Sequence, residues 1–263
     1  LIGVILAPTD AALGQAVVAN PRVPGVVRNA LNVESGLNDG LALPFVTILI
    51  TVGLVASGAE TEQTAVEVLV LALGGSTVIG LVAGLGGGWL LRVAAECGYA
   101  AEGWQSIALI ALALGTFVAA DQVEASGFLA VWVAGLAAGT VVRGHVARDA
   151  FHLSEQAANA LAAVGFLLLG AGLLVPVLTR ATPETVLYAA ISLTFVRIVP
   201  VAVAMLRTGF AVPTLLYIGW FGPRGLASIV FALLMLHDGP PAAELLVDVV
   251  ALTVGLSVLL HGA

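Results

Sequence analysis

Lysine is absent from this chain, and all nine of its basic side chains are arginines. Sixteen acids outnumber them, leaving a net charge of -7 and a pI near 4.9. A phosphate-binding surface needs clustered Lys and Arg, so nucleic acid is excluded as a partner. Cysteine occurs once, as Cys97, which excludes an internal disulfide. The four histidines, His145, His152, His237 and His261, lie scattered at the ends of apolar runs, so neither a transition-metal site nor a cofactor is expected. What the chain does have is apolar surface. Hydrophobic residues make up 60%, charged residues only 10%, and the mean hydropathy is +1.11. No soluble domain of 263 residues tolerates that balance, so the chain lives in lipid. It opens at Leu1 within an apolar run, without a charged region and cleavage site ahead of it. No signal peptide is recognised, and the sequence reads as an internal part of a longer membrane protein.

A helix needs about 20 apolar residues to cross the bilayer core. Breaking the chain at its Pro, Gly and charge clusters predicts nine spans: 1–18, 29–55, 65–92, 104–120, 126–143, 156–178, 185–206, 211–236 and 243–260. The expectation is an all-α polytopic protein. Loops alternate sides, and cytoplasmic loops are enriched in positive charge. With nine spans, Arg22, Arg28, Arg92, Arg143, Arg148 and Arg207 fall on one side. Only Arg180 falls on the other, with the acidic clusters Glu60-Thr61-Glu62, Asp121 to Glu124 and Asp238 to Glu244. That asymmetry places the C-terminus in the cytoplasm of a cell whose plasma (inner) membrane the chain crosses.

An ionisable side chain at membrane depth costs about 2.5–3.5 kcal/mol, so by default it marks an ion or proton pathway. Four ionisable or strongly polar residues stand at helical spacing in Glu34-Ser35-Gly36-Leu37-Asn38-Asp39. Residues three or four apart share a face, so Ser35, Asn38 and Asp39 can converge on one cavity, with Glu34 beside Asn38 one turn earlier. That face offers oxygen atoms and a titratable carboxylate, which suit a hard monovalent cation such as sodium. Upstream, Ala7-Pro8-Thr9-Asp10 interrupts another apolar run. Pro8 lacks an amide hydrogen and disfavours helical geometry at Ala7, which predicts unwound backbone and unpaired carbonyls near Thr9. Gly222-Pro223-Arg224-Gly225 makes a second break late in the sequence. Paired interrupted helices are the sequence pointer to a transporter's binding site, and Asp10 and Arg224 could neutralise the half-helix ends that meet there. Arg197 lies deep in its span and needs a partner. The predicted partner is Glu34, which leaves Asp39 as the carboxylate whose proton occupancy can change. Gly84 with Gly86-Gly87-Gly88 suits close helix packing.

These motifs, in this order and spacing, resemble the monovalent cation:proton antiporters of family 1. That family includes bacterial sodium/proton antiporters and animal sodium/hydrogen exchangers, and the resemblance covers essentially the whole chain. It implies an inverted-repeat fold of about thirteen spans with two unwound crossing helices, of which this chain looks like the fifth to the thirteenth. It implies a cation site of the Asp39 carboxylate, Ser35, Asp10 and the main-chain oxygen of Thr9, with sodium as its metal. Asn38 beside Asp39 matches the Asn-Asp pair associated with electroneutral exchange. Glu34 and Arg197 match an intramembrane ion pair, and Arg224 matches a second arginine in the other broken helix. Two positions depart from the pattern without removing a ligand: Ala11, where a proline often follows the aspartate, and Gly36, where a larger aliphatic residue is usual. A homodimer is implied for the longer protein. The ion-binding core would comprise 1–55 with 185–260, and the spans in 65–178 would serve partly as scaffold or dimer domain.

The function expected is one-for-one exchange of sodium (or lithium) for a proton. The two compete for Asp39 while the core moves, elevator fashion, so that the site faces each side in turn. Potassium/proton antiport is the nearest rival, because side-chain identity alone does not fix cavity size. From a different class, an intramembrane aspartyl protease could use Asp10 with Asp39. A third reading is a chain that transports nothing without helices that lie outside it.

Overall fold

The computed structural model describes residues 1–10, 13–14, 17, 20–56, 66–67, 70–146, 149–238 and 243–262. Ala11, the Glu60-Thr61-Glu62 cluster and Arg148, singled out in the sequence, lie outside these residues. The described chain is helical and contains no strand. A short α1 (Ile2–Ile5) precedes the long α2 (Gly25–Ala56). A π-helical segment, Val70–Gly75, runs into α3 (Ser76–Glu96). Next come α4 (Glu102–Asp121) and α5 (Gly127–Val142), then α6 (Asp149–Leu169), which passes through a second π segment, Gly170–Leu174, into α7 (Val175–Arg180). The last third holds α8 (Pro183–Leu193), α9 (Phe195–Ala204), α10 (Val212–Trp220), α11 (Leu226–Asp238) and α12 (Ala243–Gly262).

Among the described residues six helical stretches are long and apolar enough to cross a membrane: Gly25–Ile50, Val70–Glu96, Gly103–Asp121, Ala150–Arg180, Pro183–Ala204 and Ala243–Gly262. Gly127–Val142 and Leu226–Leu236 are shorter apolar helices. The chain is therefore a multi-pass membrane protein. Among the described residues, span 1–18 leaves the helix after Ile5, ahead of Pro8, and span 211–236 is split into α10 and α11 around Pro223. Span 185–206 also bends, at Thr194, between α8 and α9. The sequence carries no proline or glycine there. Thr194 has left helical geometry (φ -108°, ψ -87°), and its hydroxyl donates to the Ala190 carbonyl at 2.7 Å. Helix starts are conventional. Thr182 caps α8 in a reciprocal box with Thr185, and Pro183 takes the first turn, where an amide would go unused.

The chain divides into two compact units, one of Leu1–Ala42, Ala56–Gly58 and Ala162–Ala263, the other of Leu43–Val55 and Ala59–Leu161. The cuts after Ala42 and after Leu161 fall inside long helices, α2 and α6. In the second unit α3 packs along α5. Gly80, Gly84 and Gly88, four residues apart, lie against the backbone or Cβ of Ala130, Ala134 and Ala138, where any side chain would collide. Small residues let the two backbones approach, which gives dispersion contact that lipid cannot outbid. The glycine stripe is thus Gly80-Gly84-Gly88, with Gly87 against Leu112. Gly86 meets nothing, a correction to the glycine run expected to pack. The first unit is built around α12, which buries the consecutive residues Val249, Val250, Ala251, Leu252, Thr253 and Val254 and so is enclosed on all its faces. It packs on α8 and α11 and touches α1.

Candidate functional site

Two interrupted helices meet in the first unit. After α1 the backbone leaves the helix, and the carbonyls of Ala7 and Pro8 are met by a side chain. The Arg224 guanidinium, from the segment between α10 and α11, supplies donors: its Nη1 donates to Ala7 O at 2.9 Å and to Pro8 O at 3.4 Å. In return, the Leu226 amide that opens α11 donates to Asp10 Oδ2 at 3.3 Å, and the Asp10 amide donates to Pro223 O at 2.8 Å. A cation thus stands at a helix C-terminal end and a carboxylate at a helix N-terminal end, each complementing the local dipole. Two glycines make the approach possible. A methyl at Gly225 would overlap the Asp10 carboxylate, and one at Gly222 would overlap the Arg197 guanidinium.

The second wall comes from α2. Ser35 is buried and its hydroxyl donates to the Thr9 carbonyl, joining the two helices at the expected oxygen pair. A cavity of about 10 Å³, roughly the room of one water or one bare small cation, is lined by Thr9, Asp10, Gly14, Leu31, Glu34, Ser35, Phe221 and Pro223. Asp39 is not part of that lining. It sits one turn farther along the face of Ser35, within electrostatic reach of Asp10, and its Oδ1 is buried without a hydrogen-bond partner among the described residues. Asn38 is not part of the lining either, and its Nδ2 donates to Glu34 Oε1 at 3.4 Å.

Glu34 is met from the other side by Arg197. Its Nη1 donates to Oε1 and its Nη2 to Oε2 at 2.8 Å, a two-pronged contact between planar groups. Arg197 is only 8% exposed, and Nη2 reaches Ile218 O at 3.5 Å as well. Both pair charges are spent on each other.

Three further residues belong to this neighbourhood although sequence reading did not select them. The Arg224 amide donates to Ser257 Oγ at 2.7 Å. His261, one turn beyond, has Nδ1 at 3.2 Å from that Oγ and Nε2 at 3.1 Å from the Trp220 carbonyl. Ser257 and His261 carry the same signal as Ser35 and Asp39, two polar residues four apart on an apolar helix. A histidine at the end of a run reads more naturally as an interfacial residue.

Comparison with known proteins places the chain in a family. The K(+)/H(+) antiporter NhaP2 of Shewanella oneidensis is 29% identical over 267 residues, covering 100% of this chain and 45% of that protein. The K(+)/H(+) antiporter NhaP of Alkalimonas amylolytica is 28% identical over 268 residues, with the same coverage. The chain therefore spans about half the length of these curated relatives. Among solved structures, the sodium proton antiporter MjNhaP1 from Methanocaldococcus jannaschii at pH 8 superposes with a TM-score of 0.73 at 22% identity, over 99% of this chain and 69% of that one. Residues 1–263 match a single family throughout, and the chain belongs to the sodium/hydrogen exchanger transmembrane family.

Proposed function

We propose that this chain forms the ion-translocating part of an electroneutral monovalent cation/proton antiporter, a secondary transporter rather than an enzyme, with Asp39 as the group for which cation and proton compete. The observation that carries the reading is a count of formal charges. Glu34 and Arg197 cancel in contact, and Asp10 and Arg224 add one charge of each sign at the crossing, each engaged by backbone groups of the opposite segment. Among the described residues of the site, the formal count then leaves Asp39 as the one charge in excess. One proton or one monovalent cation neutralises it equally, so exchange is one for one and moves no net charge.

Roles follow from the chemistry of each oxygen. The Thr9 main-chain carbonyl and the carboxylates of Asp10 and Asp39 accept only, which suits a hard cation. The Ser35 hydroxyl has to swing its hydrogen off Thr9 O, freeing two oxygens for the ion. A neutralised site crosses a low-dielectric barrier more readily than a charged one, so only the loaded core shifts between the two sides, and coupling needs no separate gate. Glu34 and Arg197 hold α2 against α9, and Asn38 supports Glu34. An aspartyl protease would need Asp10 free to share a water with Asp39, whereas the Leu226 amide engages Asp10. The arginine asymmetry supports a cytoplasmic C-terminus, and the resemblance supports a homodimer in the longer protein.

The sodium/hydrogen exchanger family to which the chain belongs favours sodium or lithium. The names of NhaP2 and NhaP favour potassium as a second reading. Reconstitution of the protein at its full natural length in liposomes, with the membrane potential clamped, separates them. Sodium- or lithium-driven proton movement that ignores voltage is expected. Movement driven by potassium alone would shift the substrate, and a voltage-dependent rate would overturn the one-for-one count.

A further inference from the structure

The break between α10 and α11 is held from behind by α12. At Trp220 the last turn of α10 presents a carbonyl that accepts from the Gly222 amide at 2.9 Å, and His261 Nε2 meets the same oxygen at 3.1 Å. Four positions on from the α10 end, the Arg224 amide falls in unwound backbone, and it donates to Ser257 Oγ at 2.7 Å. A carbonyl can only accept, so Nε2 carries a hydrogen. Nδ1 lies 3.2 Å from Ser257 Oγ, which accepts from the Arg224 amide, and 3.0 Å from the Ser257 carbonyl. The contacts therefore run without a gap from the Arg224 amide through Ser257 and the His261 ring to the Trp220 carbonyl. Ser257 is fully buried and His261 is 7% exposed, so water cannot substitute freely for either partner. The Trp220 and Phe221 rings close over the imidazole, with centroids 5.3 and 6.0 Å from it.

We propose that Ser257 and His261 are positioning residues for the cation site, a clamp on α12 that fixes the α10–α11 break and, through it, the Thr9 and Asp10 oxygens. The transmission is short. The clamp holds the Arg224 backbone, the Arg224 side chain holds the Ala7 and Pro8 carbonyls, and Pro223 O accepts the Asp10 amide. Each link is one hydrogen bond in a buried place, so slack at Ser257 reaches the ligands with little chance to dissipate. The clamp touches neither Asp39 nor the cavity lining apart from Phe221, so it acts on cation affinity rather than on the number of ions exchanged. The affinity part of this claim rests on the transport reading above; the clamp itself does not.

The test pairs two readouts on the protein at its full natural length. Hydrogen exchange followed by mass spectrometry reports the amides of Asp10 and Arg224. Cation-driven proton flux in liposomes reports KM and maximal rate for sodium and potassium. Ser257→Ala and His261→Ala are expected to speed exchange at both amides and to raise KM about tenfold, the size of one buried hydrogen bond, with the maximal rate changed far less. Ser257→Thr, which keeps the hydroxyl, and His261→Gln, which keeps a donor for Trp220 O, are expected to recover most of the loss, and they cover the case of an alanine variant that fails to fold. Unchanged exchange at Asp10 and Arg224 would overturn the clamp. Faster exchange with an unaltered KM would overturn its effect on the site, as would a glutamine variant no better than alanine. A parent protein that moves protons with no cation would overturn the transport reading instead, and exchange at the two amides would still decide the clamp.

Discussion

Removing the Glu34 carboxylate would strand a guanidinium that is only 8% exposed. Truncating one partner of a buried pair costs about 3–5 kcal/mol, whereas replacing both by apolar groups of similar volume is often neutral. Glu34→Ala is therefore expected to lower thermal stability in detergent markedly, and the double variant Glu34→Leu/Arg197→Met to restore most of it. A single variant that melts like the parent would mean that the pair does not hold α2 to α9. The distinction matters because both acids of the Glu34-to-Asp39 segment lie within one and a half turns, yet their surroundings divide their work. Glu34 has its charge matched at contact, and Asp39 has a buried oxygen without a hydrogen-bond partner among the described residues.

Helix interruption is the device at the scale of elements. A continuous helix has no carbonyl to spare in its interior, so a site built of main-chain oxygen at membrane depth requires the breaks at Pro8 and Pro223. Their close crossing depends on absent side chains. Gly225→Ala would drive a methyl into the Asp10 carboxylate, and the Leu226-to-Asp10 hydrogen bond would stretch or break. The expected result is a roughly tenfold weaker apparent cation affinity and a stability loss of about 1–3 kcal/mol, in the range of overpacking. The same change at Gly53, in α2 with nothing within 4 Å, gains helix propensity of up to about 1 kcal/mol and should leave transport alone. Equal behaviour of the two variants, read from transport KM and melting temperature, would contradict the steric account.

Across the whole molecule, legibility in the sequence follows the range of the interaction. Apolar run length marked the membrane spans, and proline chemistry marked the two breaks, because both act within a few residues. Charges inside apolar runs signalled a need for partners, and Arg197 stands against Glu34 across 163 positions because few other groups could satisfy it. The bend at Thr194, the π segments and the split of α2 and α6 between two units have no local signature; they arise where one helix must fit its neighbours. The roles of Ser257 and His261 were hidden for the same reason, since their meaning depends on which backbone lies opposite. The reading of function turns on one atom group. The measurement that tests it most directly is cation-driven proton movement in liposomes with Asp39→Asn beside the parent, at clamped potential and matched protein amount. Asparagine keeps the shape and one acceptor but holds no charge to be neutralised, so exchange is expected to vanish while the protein stays folded. Normal proton-coupled cation flux in Asp39→Asn would contradict the account.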